Sequence, residues 1–207
     1  MDYIILASFQ ILVLLYSVTI HELSHGLAAN SMGDDTARSL GRLTLNPLKH
    51  LDLFGSIILP FLLALTGLPA FGYAKPVPYN PLNLSDRKWG PAKVALAGPL
   101  SNIILAVLFS ILARLSAGLL SSELAVSLFS LIVYMNIVLA VFNLFPIPPL
   151  DGHWILFSLL PARFNELKTL LYSWSMPLFI VFIFFGLPLV QKISTSIFYL
   201  LVGFYPF

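Results

Sequence analysis

The sequence predicts an all-α polytopic membrane protein of about five to six membrane helices, one of them a re-entrant segment, with short β-strands on the cytoplasmic side. Two observations carry this expectation. Of 207 residues, 58% are hydrophobic and 10% are charged, whereas an ordinary soluble domain carries about 25% charged residues. So few charges cannot cover a water-facing surface, and the same hydrophobicity excludes a disordered chain. The charges are also unevenly spaced, leaving long runs without any. A net charge of +2 provides no basic field for nucleic acid. The absence of cysteine excludes disulfides and thiolate metal sites.

The charge-free runs locate the elements. They cover residues 3–20, 53–74, 94–113, 124–150 and 169–191, with a shorter one over 193–207. A spanning helix needs about 20 apolar residues. The runs starting at Val94, Leu124 and Thr169 meet that length, and the first does so if it continues through the polar cluster after Ile20. The first run lacks the basic leader and small-residue cleavage site of a signal peptide. Residues 53–74 contain Pro60 and Pro69, which break or bend a helix. That segment is predicted to be either a re-entrant hairpin or a crossing. Residues 33–52 alternate around Leu43–Leu45 and predict a short strand. Residues 72–90 are rich in Pro and Asn and predict extended chain or a strand edge. The whole chain is expected to be one membrane-embedded domain, with a core over 1–161 and accessory helices over 162–207.

The chemistry is concentrated in His21-Glu22-Leu23-Ser24-His25, at the end of the first apolar run. Positions i and i+4 of a helix share one face. Two imidazoles so placed can bind one Zn2+, with Glu22 beside them as general base. A solvated pair of polar residues at a helix end is the plainer alternative. It leaves unexplained why three ionisable groups crowd one membrane helix, where such groups are costly and usually functional. A hydrolytic zinc site wants three protein ligands and an open position. His50 and His153 are candidates for the third ligand, but Asp151 is better placed, because it is the only charge between Glu123 and Arg163. Asp151 would also serve as an N-cap for a helix starting near Gly152.

Three segments together resemble the site-2 protease family of intramembrane zinc metallopeptidases, in its short form without PDZ or CBS domains. They are HELSHG, AGPLSN (residues 97–102) and NLFPIPPLDG (residues 143–152). NPLKHLD and GYAKPVPYNP support the likeness, which spans most of residues 1–161. The resemblance implies zinc ligation by His21, His25 and Asp151 and catalysis by Glu22. It also implies a substrate-holding or oxyanion role for Asn143, which otherwise reads as a helix-end polar residue. Gly98 and Asn102 match the family's Gly-Asn helix and are read as close packing and an interhelical hydrogen bond. His153 falls where the family often has a small or polar residue and reads either as a group supporting the metal ligands or, the preferred reading, as an interfacial histidine.

Topology tests this ligand set. For His21, His25 and Asp151 to share one depth, the first helix and the 124–150 helix must run in the same direction. One of the two apolar segments between them must therefore turn back, and Pro60 and Pro69 select 53–74. That arrangement puts Arg38, Arg42, Lys49, Lys75, Arg87, Lys88, Lys93, Arg163 and Lys168 on one face, nine of the eleven basic residues. The positive-inside rule makes this face cytoplasmic. The expected protein resides in the cell membrane and cleaves transmembrane protein substrates, with its active site toward the cytoplasm. Its partners are the lipid bilayer and those substrates, with no nucleic acid. A zinc transporter would use the same ligands, but would place acidic groups at several depths, whereas Glu22 and Asp151 fall at one site.

Overall fold

The computed structural model describes residues 3–203 except 53–54, 56–57, 59–74 and 121. Among them the chain is helical: α1 (Tyr3–Ser31), a single turn α2 (Thr36–Ser39), α3 (Gly90–Leu115), α4 (Glu123–Asn143), α5 (Gly152–Leu159), α6 (Asn165–Ser173), α7 (Ser175–Phe185) and α8 (Leu187–Val202). Three described helices are long and apolar enough to cross a membrane, Ile4–Ser31, Gly90–Gly118 and Glu123–Asn143, or four if the bent pair α6–α7 forms one span. Large apolar side chains such as Ile4 (76% exposed) and Phe185 (80%) face outward, as a lipid-facing surface requires. The expected five to six elements are not all present among these residues, and the re-entrant segment 53–74 lies outside them except for isolated positions.

Two expectations are corrected. No β-ladder occurs among the described residues. Leu43–Leu45 is irregular, leading into an Asn-Pro-Leu turn in which Asn46 Oδ1 accepts the Leu48 N–H. Residues 75–80 are extended but pair with no strand; Pro76 and Pro78 remove two of the donors a ladder would need. A second Asn-Pro-Leu turn, capped by Asn80 onto the Leu82 N–H, ends the extended segment.

The run 169–191 is likewise not one continuous helix. It breaks at Trp174, where α6 and α7 meet at a 70° bend, and again at Gly186. Pro177 and Pro188 follow these breaks by two or three residues. Each lacks an N–H and its ring would collide with the carbonyl four residues back, so each can start a helix but not continue one. The polar α6 is thus separated from the apolar α7.

The packing sets the site's frame. The turn after α1 closes at Gly33, whose φ of 97° is open to glycine at little cost. α3 returns antiparallel beside it, pairing His25 with Val94 and Ser17 with Asn102, and α4 runs parallel to α1. Ala106 and Ala113 of α3 let it lie close to α4 and α8 through Val133, Ile137, Phe198 and Val202. At the far end, Arg114 donates to the Leu200 and Leu201 carbonyls, capping the last turn of α8. The 144–151 turn packs Leu150 against Phe182 and Val190, which directs Asp151 toward α1.

Candidate metal centre

His21 and His25 lie one turn apart on α1 and are both buried. Their Nε2 atoms are 3.0 Å apart, and Asp151 Oδ2 lies 3.1 Å from the first and 3.3 Å from the second. The other ring nitrogens are already committed. His21 Nδ1 lies 2.6 Å from Asn102 Oδ1, and His25 Nδ1 lies 2.7 Å from the Val94 carbonyl oxygen. Both partners are acceptors, because the Asn102 amide nitrogen donates to Asn136 Oδ1 (2.9 Å) and the Ser17 carbonyl (3.3 Å). Each Nδ1 therefore carries the proton, and each Nε2 presents a lone pair.

Two imidazole lone pairs and a carboxylate oxygen thus converge on one point. That arrangement is repulsive unless a cation shares it. Donors bound at about 2.0–2.1 Å to a tetrahedral zinc stand about 3.3 Å apart, and these three match that spacing. The residues fit zinc. Asp151 makes no side-chain cap to α5; its carboxylate is turned to the histidines instead. A fifth of its side chain stays exposed, leaving the centre open on that side.

The neighbours are built to the same point. A Cβ on Gly98 would lie 2.5 Å from His25 Nε2 and 2.6 Å from His21 Nε2, so α3 can cross the ligands only with glycine there. This role is closer to the ligand atoms than the general packing expected. Asn102 does form an interhelical hydrogen bond, but to a ligand imidazole. Asn136 and Ser17 complete the network, with Asn136 Nδ2 donating to Ser17 Oγ at 3.0 Å. Neither was singled out in the sequence; an amide in the middle of an apolar helix, as at Asn136, is the signal that could have found that one.

Asn143 is not brought to the ligands among the described contacts; its amide donates to the Leu139 carbonyl one turn back. His153 is buried, not interfacial. Its Nδ1 bonds the Leu150 carbonyl at 2.6 Å and its ring packs among Trp154, Phe157 and Tyr172. Burial pushes its imidazole below the usual value. His50 is buried away from the centre, with Nε2 on the Thr44 carbonyl. Glu22 stands beside the ligands and accepts the Val77 N–H on Oε2 at 2.8 Å. The Tyr79 hydroxyl is buried without a partner among the described residues, and burial together with the Asp151 charge holds it protonated.

Comparison with known proteins agrees with this geometry. The model of peptidase family M50 matches residues 9–122 and 117–185. "Putative zinc metalloprotease YwhC" of Bacillus subtilis is 39% identical over 182 residues, covering 85% of this chain and 80% of that protein. "Putative zinc metalloprotease Rip2" of Mycolicibacterium smegmatis is 34% identical over 145 residues, covering 67% of this chain and 52% of its own length. The Mycobacterium tuberculosis protein of the same name is 32% identical over 140 residues, with 67% and 52% covered. No solved structure matches the chain. A zinc-spaced His-His-Asp cluster on apolar helices, within a chain so matched, makes this protein a zinc metalloprotease of peptidase family M50.

Proposed function

We propose that the protein hydrolyses peptide bonds within or near transmembrane segments of other membrane proteins, with Glu22 as general base. The observation that carries this reading is that Glu22 follows His21 on a helix long enough to cross a membrane, beside the point where His21, His25 and Asp151 converge. His21, His25 and Asp151 hold the zinc, which when bound supplies Lewis-acid polarisation and a water acidic enough to attack near neutral pH. Oε2 of Glu22 is taken by Val77, and Oε1 accepts no hydrogen bond from the described residues. That free oxygen takes the proton from the attacking water and returns it to the leaving amine.

The substrate amide must leave its own helix before attack, since helical backbone groups are already bonded. Residues 75–80 run extended beside Glu22, and the main-chain groups of Tyr79, unbonded among the described residues, offer a short edge to an unwound substrate. Asn143, at the end of α4, is proposed to hold substrate as the zinc centre opens. The grouping of nine basic residues supports a cell-membrane protein with its centre toward the cytoplasm.

The test is incubation of reconstituted protein with a panel of transmembrane peptides. Wild type is expected to cut and Glu22→Gln to retain zinc without cutting. Equal cleavage by both would remove Glu22 from the mechanism.

A further inference from the structure

The hydrogen bond from Val77 to Glu22 links the zinc helix to a segment 55 residues away. Several contacts hold that segment still. The Lys75 N–H donates to the His50 carbonyl at 2.8 Å. The Arg42 guanidinium donates to the Lys75 carbonyl at 2.8 Å and the Pro76 carbonyl at 3.3 Å. The Asn80 N–H donates to Asp34 Oδ2 at 2.8 Å. The Val77 side chain is buried over Gly26, where an added Cβ would meet its Cγ1 at 2.9 Å. Pro76 and Pro78 have no N–H, so Val77 is the only main-chain donor between Lys75 and Tyr79. That one donor is spent on Glu22.

The chemistry of the donor matters. A carboxylate on a helix has several free torsions, and a base must be held at the proton it takes. A cation at Glu22 would hold it but weaken it as a base. A neutral N–H fixes one oxygen and leaves the other available. The Arg42 guanidinium directs its Nη2 to the Lys75 and Pro76 carbonyls instead.

We infer that the main-chain N–H of Val77 is a positioning group for Glu22, anchored by Arg42, so that residues 75–78 form part of the hydrolytic apparatus and are more than a connection between helices. The inference rests on the reading of Glu22 as general base. It assigns Val77 to the enzyme, leaving only the remaining strap groups to pair with substrate.

The experiment compares the full-length reconstituted protein with Val77→Pro, Val77→Ala, Arg42→Gln and Glu22→Gln on one transmembrane peptide substrate, with zinc content measured for each. Val77→Pro is expected to lower kcat about 30-fold or more, with KM within about threefold and zinc unchanged, as for a misplaced catalytic group. Val77→Ala, which keeps the N–H, is expected to recover kcat to within about threefold of wild type, and Arg42→Gln to lower kcat about tenfold. With Glu22→Gln inactive, unchanged kcat in Val77→Pro, or a loss confined to KM, overturns the inference and leaves the base assignment standing. Cleavage by Glu22→Gln overturns the base assignment itself. If Val77→Pro does not fold, Arg42→Gln decides: wild-type kcat there overturns the inference.

Discussion

Asn102 Oδ1 accepts the Nδ1–H of His21 at 2.6 Å, while the Asn102 amide hydrogens go to Ser17 and Asn136. This bond fixes the imidazole's tautomer and its ring plane. Partners of this kind typically cost 10–100-fold in metal affinity when removed. Asn102→Ala is therefore expected to weaken zinc binding by about that factor. Competition with a graded series of chelators measures it; unchanged affinity would show that the ring is held by packing alone.

Gly98 is a sharper test, because the substitution adds one carbon and removes nothing. The Cβ of Gly98→Ala meets both ligand nitrogens inside contact distance. The membrane helix should still form, since alanine is a better helix former than glycine by about 1 kcal/mol. The expected result is a folded protein, by circular dichroism, with most of its zinc and its cleavage lost.

Asn136 is fully buried and bonds Asn102, Ser17 and the Ile132 carbonyl. Asn136→Ala strands the Asn102 amide in an apolar environment, which costs about 1–3 kcal/mol. Ser17→Ala removes a partner of the same network, so the double variant should be less destabilised than the sum of the two singles. Unfolding of each variant in mixed micelles reads the difference.

The buried Asp34 carboxylate gives the fold a pH dependence. Burial alone would raise its pKa, but the hydrogen bonds from Thr36 Oγ1, Asn83 and the Asn80 and Thr36 main chain hold it below the usual value. A depressed folded pKa stabilises above the unfolded value, about 3.9, and that stability is lost as pH falls through the folded value. Asp34→Asn should lower Tm at pH 7 and show a shallower loss between about pH 4 and pH 2 than wild type. Parallel Tm curves for the two proteins would dismiss the assignment.

Metal removal should act on the same three residues. Dialysis against a chelator is expected to abolish cleavage, and added Zn2+ to restore it in wild type. Asp151→Asn, with a neutral and weaker ligand, should bind zinc poorly and recover little, read by zinc content and cleavage together.

What could be read from the chain follows from the range of the forces involved. His21, Glu22 and His25 were legible because helical spacing alone brings them together. Asp151 was legible because a lone carboxylate in an apolar run has few other reasons to exist. Its competing role as a helix cap was decided only by the fold, which turns the side chain to the histidines. The strand predicted near Leu43 failed because alternation describes one strand and says nothing of a partner; of the two readings of 72–90, extended chain holds over 75–80, and no paired edge occurs among the described residues. Pro76 and Pro78 were on view as reasons against a ladder. The break at Trp174 was legible in Pro177, and counting apolar residues passed over it. Ser17 and Asn136 stayed hidden because each acts through Asn102, 85 and 34 positions away.

His21 and Asp151 meet across 130 residues of chain. A metal ion shared between them is a cross-link closing a very long loop, and its binding free energy counts toward holding the loop shut. During synthesis the first helix leaves the ribosome with two ligands in place and the third still unmade. The three-ligand centre is therefore incomplete until residue 151 has emerged and folded back, which builds a delay into the maturation of the metal site.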